Sequence, residues 1–272
     1  MIKRNLELIV KGAVIGGTML IPGVSGGTMA MVVGVYDRLI HAVGDFFQDI
    51  RNNFKLLLWF CLGGGVGMLL LAKPLLRLLE TFPMPMSYFF LGAVAGSVPM
   101  IYRKTTVKSF SFSVPIYVLL GMAAVWLIEF LPTSEASTLS GVGKVLFLML
   151  AGVIAAVALI LPGISVSFVM LMMGLYDQMV RAMDGLDFSF LIPLGLGLGL
   201  GILSTAKVLA VLMERFPLAT YLVILGFMIG SVLSVFPGLP TLVEVVPCLI
   251  TFALGFTAIY QLSKREDDGL TQ

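Results

Sequence analysis

The 32 residues between Lys144 and Asp177 carry no charge, and a Pro-Gly pair interrupts them near the middle. As one helix they would run about 48 Å at ~1.5 Å per residue. A bilayer's hydrocarbon core is roughly 30 Å thick, and ordinary tilt does not absorb the difference. Pro162 removes a backbone donor and crowds the preceding turn, and Gly163 follows it. Two arms meeting at a tip, a re-entrant hairpin, fit such a segment better than a single span. Lipid offers no water to an open backbone, so spanning segments must be helices or closed barrels, and the period-2 alternation of barrel strands is not evident. The expected fold class is all-α, a polytopic integral membrane protein.

Composition agrees. The chain is 59% hydrophobic and 12% charged, with a mean hydropathy of +1.06, whereas a soluble domain carries roughly 25% charged residues. The net charge of +2 is scattered, with no basic face for nucleic acid. Cys61 and Cys248 lie singly in apolar segments, and His41 is the one histidine. A disulfide framework, a metal site, a cofactor and a Ser-His-Asp triad are therefore not expected. The N-terminus lacks a small-residue cleavage site after a short apolar core and reads as mature sequence.

The sequence repeats itself. A shift of 140 aligns Gly12, Pro22, Gly23, Ser25, Gly34, Tyr36, Asp37 and Ala42 with Gly152, Pro162, Gly163, Ser165, Gly174, Tyr176, Asp177 and Ala182. Farther on, a shift of 134 pairs Lys73, Glu80 and Pro83 with Lys207, Glu214 and Pro217, and Gly92 and Gly96 with Gly226 and Gly230. Matches at breaks, charges and glycines are harder to reach by chance than matches among Leu and Val. One membrane domain is expected to comprise repeat 1 (1–132) and repeat 2 (133–272), with the Ser/Thr-rich linker 132–143 between the two sets of helices. Each repeat opens with a broken segment, about 7–40 or 144–180. Three helices follow, near 54–80, 86–101 and 114–131, then near 188–213, 217–234 and 244–261.

Charge placement favours hairpins over crossings. With the N- and C-termini in the cytoplasm, hairpins put 13 Lys and Arg inside and 4 outside, the latter being Lys73, Arg77, Lys144 and Arg181. If the broken segments cross instead, the tally falls to 10 against 7, which the positive-inside rule disfavours. Three crossings per repeat is an odd number, so the second repeat is expected to be inverted. Inverted repeats with broken helices at mid-membrane are a transporter architecture.

The tips carry the chemistry. Ser25 and Ser165 are good N-caps, and helix N-termini attract anions. Ser25, Gly26, Gly27 and Thr28 on one tip, with Ser165 and Ser167 on the other, are candidates to cradle a phosphate or carboxylate; the alternative is a packing kink lined by small residues. Lys73 and Lys207 occupy equivalent places in apolar helices, and Arg77 lies one turn beyond Lys73. They are candidate countercharges, or snorkelling side chains near helix ends. Asp37 and Asp177 read as interfacial caps or ion-coupling sites, and Glu80 and Glu214 are further candidate protonation sites. The Gly-x-x-x-Gly pairs 92/96 and 226/230 and the Gly195–Gly201 series read as close-packing faces.

The stretch Ile21-Pro22-Gly23-Val24-Ser25-Gly26-Gly27-Thr28, followed by Gly34-Val35-Tyr36-Asp37, resembles the signature of bacterial polyprenyl-phosphate transporters of the PopT type. The resemblance extends over the chain, including Leu161-Pro162-Gly163-Ile164-Ser165, although Val166, Ser167 and Phe168 replace Gly26, Gly27 and Thr28 in the second copy. It implies flipping of undecaprenyl phosphate across the cytoplasmic membrane by alternating access, to recycle this carrier for cell-envelope synthesis such as that of peptidoglycan. Polyprenyl phosphate and the bilayer would be its partners, with protons or sodium as coupling ions. A proton- or sodium-coupled transporter of a small water-soluble anion is the alternative, and an enclosed polar cavity at the tips would favour it. An enzyme acting on lipid phosphates is disfavoured by the single histidine and dispersed carboxylates. In a chain freed of Cys61 and Cys248, Arg38→Cys and Arg181→Cys should react with impermeant maleimide from opposite faces, position 38 from the cytoplasm. Labelling from one face would overturn the inverted arrangement.

Overall fold

The computed structural model describes residues 2–19, 25–105, 113–129, 141–234 and 236–270. The first Pro-Gly pair (Pro22 and Gly23), Lys108 and most of the 132–143 linker lie outside these residues. Twelve helices are described and, among the described residues, no strand. The first half contributes α1 (Ile2–Thr18), α2 (Gly26–Val32), α3 (Tyr36–Gly44), α4 (Ile50–Thr81), α5 (Pro83–Lys104) and α6 (Ser113–Glu129). The second contributes α7 (Gly141–Ile160), α8 (Val166–Met172), α9 (Tyr176–Asp184), α10 (Phe188–Arg215), α11 (Pro217–Ser234) and α12 (Val245–Leu270). The two halves run through the same order of long and short helices.

Among the described residues five stretches are long and apolar enough to cross a membrane: Ile50–Leu71, Pro83–Lys104, Gly141–Ile160, Phe188–Arg215 and Val245–Leu262. Val114–Leu127 and Pro217–Leu233 are shorter apolar helices. Large apolar side chains such as Leu69, Leu127 and Leu196 stand exposed along these helices, an arrangement that only a lipid environment makes favourable. The protein is a multi-pass membrane protein.

Local signals set the helix ends. Asp49 and Asp187 are the N-caps of α4 and α10, accepting from the backbone N–H of Asn52 at 3.2 Å and of Ser189 at 3.0 Å. The Asn52 side-chain amide holds the Asp49 carboxyl below the usual carboxylate range, and the Ser189 hydroxyl does the same for Asp187. Both caps are therefore present at neutral pH and fade only as pH falls through those lowered values. Gly34 and Gly174 turn the chain between α2 and α3 and between α8 and α9, at φ +79° and +66°, where a Cβ would be strained. That steric requirement accounts for their matching in the alignment.

The long helices associate in four glycine-lined pairs. A Cβ on Gly12 or Gly16 of α1 would strike the carbonyls of Phe60 or Gly64 on α4, and one on Gly152 of α7 that of Leu194 on α10. Gly92 of α5 lies against the Phe252 carbonyl of α12, and Gly226 of α11 against that of Val118 on α6. Glycine lets the backbones close to direct contact, which replaces the hydrophobic drive that lipid cannot supply. The expected close-packing faces are present at 92/96, 226/230 and 197/201, whereas nothing approaches Gly195 or Gly199 within 4 Å. The first two pairs form within a half. The other two join α5 to α12 and α11 to α6, across the halves.

The broken segments depart from two equal half-membrane arms. Each consists of a long arm, α1 or α7, and a return arm made of two short helices separated by the glycine turn. α7 has 20 residues and passes the length criterion for a span, although its apolar part begins only after Lys144. α2 is buried from Gly27 to Val32 within a core that also takes side chains from α5, α10 and α11. α8 buries only Val169 and Met170.

Gly92→Ala should lower the apparent thermal stability of detergent-purified protein by about 1–3 kcal/mol through overpacking. Gly195→Ala, facing open space, should leave the melting temperature unchanged or raise it.

Candidate functional site

The second break meets the first return arm. α7 ends at Ile160, where Pro162 and Gly163 interrupt the helix and leave backbone groups without helical partners. The Gly163 N–H donates to the Thr28 hydroxyl of α2 at 2.8 Å, and the Tyr36 hydroxyl of α3 donates to the Ile160 carbonyl at 2.9 Å. Gly27 makes room for this contact, since a Cβ there would come within 3.0 Å of the Ile160 carbonyl. Gly163 itself sits at φ +86°, against the Phe227 carbonyl of α11.

Beside this junction lies a cavity of about 230 Å³. Ile15, Gly26, Gly27, Phe60, Ile160 and Ile202 are among its walls, which are almost wholly apolar. The polar tip pocket that a small water-soluble anion would require is not what this cavity provides.

Of the expected phosphate ligands, Thr28 is buried and engaged with Gly163. Ser25 caps α2 without a side-chain hydrogen bond, while Ser165 caps α8 by accepting from Phe168 N–H at 3.4 Å. Ser165 and Ser167 are exposed. α2 and α8 have seven residues each, so the dipole that each adds is smaller than that of a long helix.

The cationic candidates do not reach the tips in this conformation. Lys73 and Arg77 are exposed and lie past the apolar stretch Ile50–Leu71, on a continuation of α4 that also holds Pro74 and Glu80. Of the two readings the sequence left open, snorkelling near a helix end suits these two side chains. Lys207 lies inside its apolar helix, exposed, with its Cα against Gly44 at the end of α3. Glu214 approaches His41 at 3.8 Å, and Glu80 is exposed.

The two aspartates part company. Asp177 is exposed. Asp37 is half-buried and accepts at Oδ2 from the Lys104 ammonium at 2.6 Å and from the Tyr221 hydroxyl at 2.9 Å. Its Oδ1 is buried without a hydrogen-bond partner among the described residues. Lys104 also lies over the Tyr221 ring, 5.7 Å from its centroid. Nearby, Glu7 pairs with the buried Lys11 at 3.0 Å and with Arg38 at 3.4 Å. Lys104, Tyr221, Lys11, Glu7 and Arg38 were not singled out in the sequence. Lys104 and Arg38 counted there only among the cytoplasmic charges, and Lys11, four residues after Glu7, carried a local signal. In the second half Gly238, Ala151 and Gln178 stand where Lys104, Lys11 and Arg38 stand in the first, so the cationic part of the cluster comes from the first half, with Tyr221 of α11 completing it.

The family model described as VCA0040-like, undecaprenyl phosphate translocase-like, matches residues 15–247, which include both breaks, Asp37, Lys104 and Tyr221. The chain belongs to this family. Among relatives of the VCA0040-like chain, the polyprenyl-phosphate transporter of Staphylococcus aureus (strain NCTC 8325 / PS 47) is 32% identical, covering 94% of this chain and 95% of its own length. The polyprenyl-phosphate transporter of Vibrio cholerae serotype O1 (strain ATCC 39315 / El Tor Inaba N16961) is 29% identical, over 87% of this chain and 79% of its own. No solved structure matches the chain.

Thr28→Val removes the acceptor for Gly163 with little change in shape and should cost about 1–3 kcal/mol in unfolding of the purified protein. Thr28→Ser should retain most of that stability. Loss in Thr28→Ser with none in Thr28→Val would mean that the methyl packing matters and the hydrogen bond does not.

Proposed function

We propose that this chain moves a polyprenyl phosphate, undecaprenyl phosphate foremost, between the leaflets of the bacterial cytoplasmic membrane. The observation that carries the reading is the junction of the second break with the first return arm beside an apolar cavity. A phosphate needs polar groups and an isoprenoid chain needs hydrocarbon. The junction supplies backbone and hydroxyl dipoles next to a surface suited to the chain. The names of the two relatives and the description of the family support the same substrate class. The apolar character of the cavity weighs against a small water-soluble anion.

In this mechanism the repeats are inverted, with both termini cytoplasmic and the broken segments entering from opposite faces, and the junction is the point about which access alternates. The corresponding helix pairs α1–α4 and α7–α10, and α5–α12 and α11–α6, support a two-fold relation between the halves. Ser25, Gly26, Gly27, Ser165 and Ser167 receive the phosphate as the tips separate. Lys207 supplies countercharge in the state that opens the site to the cytoplasm, and Lys73 and Arg77 in the state that opens it to the outside. Asp37 is the coupling residue, because a half-buried carboxylate held by one ammonium and one phenol changes its links when either a proton or a cation arrives. Asp177, Glu80 and Glu214, being exposed, serve at most as acceptors on the way.

In liposomes carrying labelled undecaprenyl phosphate, the wild-type protein should speed leaflet exchange above protein-free vesicles, and a proton or sodium gradient should bias it. The Lys73→Gln/Lys207→Gln variant should lose at least about tenfold in rate, on the order of one or two charge-assisted hydrogen bonds. Asp37→Asn should abolish the gradient dependence while Asp177→Asn keeps it. Full activity in the double lysine variant would remove those side chains from the mechanism, and absence of exchange by the wild type would remove the function.

A further inference from the structure

A second cavity, of about 660 Å³, opens where α1, α3 and α4 converge, away from the junction. Its polar wall consists of Arg38, Lys55, Asn5, Asn52 and Asn53, and its apolar wall includes Leu56 and Trp59. Among the described residues no carboxylate lines it. Two acids that touch its lining residues are committed elsewhere: Asp49 caps α4 and holds Asn52 at 2.7 Å, and Glu7 pairs with Lys11 at 3.0 Å while reaching Arg38 only at 3.4 Å. A phosphate oxygen arriving beside Arg38 would thus compete with a long ion pair rather than a tight one. A guanidinium fork, an ammonium and several side-chain amides suit an oxyanion carrying one to two charges.

The same three helices also line the apolar cavity at the junction. α1 offers Asn5 and Leu8 to the polar pocket and Ile15 and Met19 to the apolar one; α3 offers Arg38 and then Leu39; α4 offers Trp59 and then Phe60. From Leu8 to Ile15 is about 10 Å along the helix. An indole beside basic residues is also the side-chain pairing that marks a membrane–water interface.

We propose that the Arg38–Lys55 pocket docks the phosphate headgroup of an isoprenoid lipid at the membrane surface, with the hydrocarbon chain lying along α1, α3 and α4 toward the junction. It is a waiting position, separate from the tip residues. The proposal rests on the lipid-phosphate reading for the nature of the ligand, but docking and transport are measured separately.

Trp59 reports on the pocket directly. In full-length Trp126→Phe protein, Trp59 is the remaining indole, and its fluorescence is titrated in detergent with farnesyl phosphate, farnesol and inorganic phosphate. Farnesyl phosphate should give a saturable change that farnesol and inorganic phosphate do not reproduce at the same concentrations. Arg38→Gln/Lys55→Gln should weaken that binding by at least about tenfold. Lys55→Glu, at an exposed position whose change leaves the fold intact, should weaken it as well. Equal response to inorganic phosphate would make this a free-anion site and overturn the lipid assignment; equal response to farnesol would remove the headgroup contact. Unchanged affinity in the Lys55→Glu protein would overturn the proposal outright. Protein that docks farnesyl phosphate through these residues but exchanges no lipid in liposomes would keep this inference and remove the transport reading.

Discussion

The structure depends on how a broken helix satisfies its backbone where water is scarce. Interrupting α7 after Ile160 frees a carbonyl and, at Gly163, an N–H. Both are met by side chains of the other half, the Tyr36 hydroxyl and the Thr28 hydroxyl. In lipid each group left open would cost several kcal/mol. The break in one half therefore requires the return arm of the other, and that requirement accounts for the burial of α2 and for the glycine at position 27. The two hydrogen bonds also tie together segments more than a hundred residues apart. A structural demand of the second half thus sets the residues of the first.

Much of the architecture was legible in the sequence, because lipid imposes it. Long uncharged runs, the Pro162-Gly163 pair and the glycine spacings at 92/96 and 226/230 report directly on helix length, interruption and close approach. The turn glycines 34 and 174 matched in alignment because each needs a positive φ. The interior of the site was less legible. Thr28 read as a phosphate ligand, since an exposed tip hydroxyl and one that accepts from Gly163 look alike in sequence. Lys104 counted only as one more cytoplasmic charge, and nothing local discloses that Asp37 and Tyr221 meet it. Lys73 read as lying within an apolar helix, but Pro74, Arg77 and Glu80 mark the end of the apolar stretch.

The halves share an order of helices but not a distribution of polar groups. The first return arm is buried and sits beside Asp37, Lys104 and Tyr221. The second leaves Ser165, Ser167 and Asp177 exposed. Where Lys104 meets Asp37 in one half, the corresponding place in the other holds Gly238, whose carbonyl accepts from the Tyr88 hydroxyl at 3.1 Å. A neutral contact has taken the place of an ionic one.

The glycine-lined pairing of α5 with α12 and of α6 with α11 bears on how the chain is made. Tyr88 near the start of α5 meets Gly238, just before α12, across 150 residues of sequence. α5 enters the bilayer while the helix that will cover its glycine face is still untranslated. Until α12 arrives, Gly92 and Gly96 face lipid or whatever guards nascent helices at the point of insertion. A ribosome that stops before residue 245 leaves that face uncovered, an open protein rather than a smaller one.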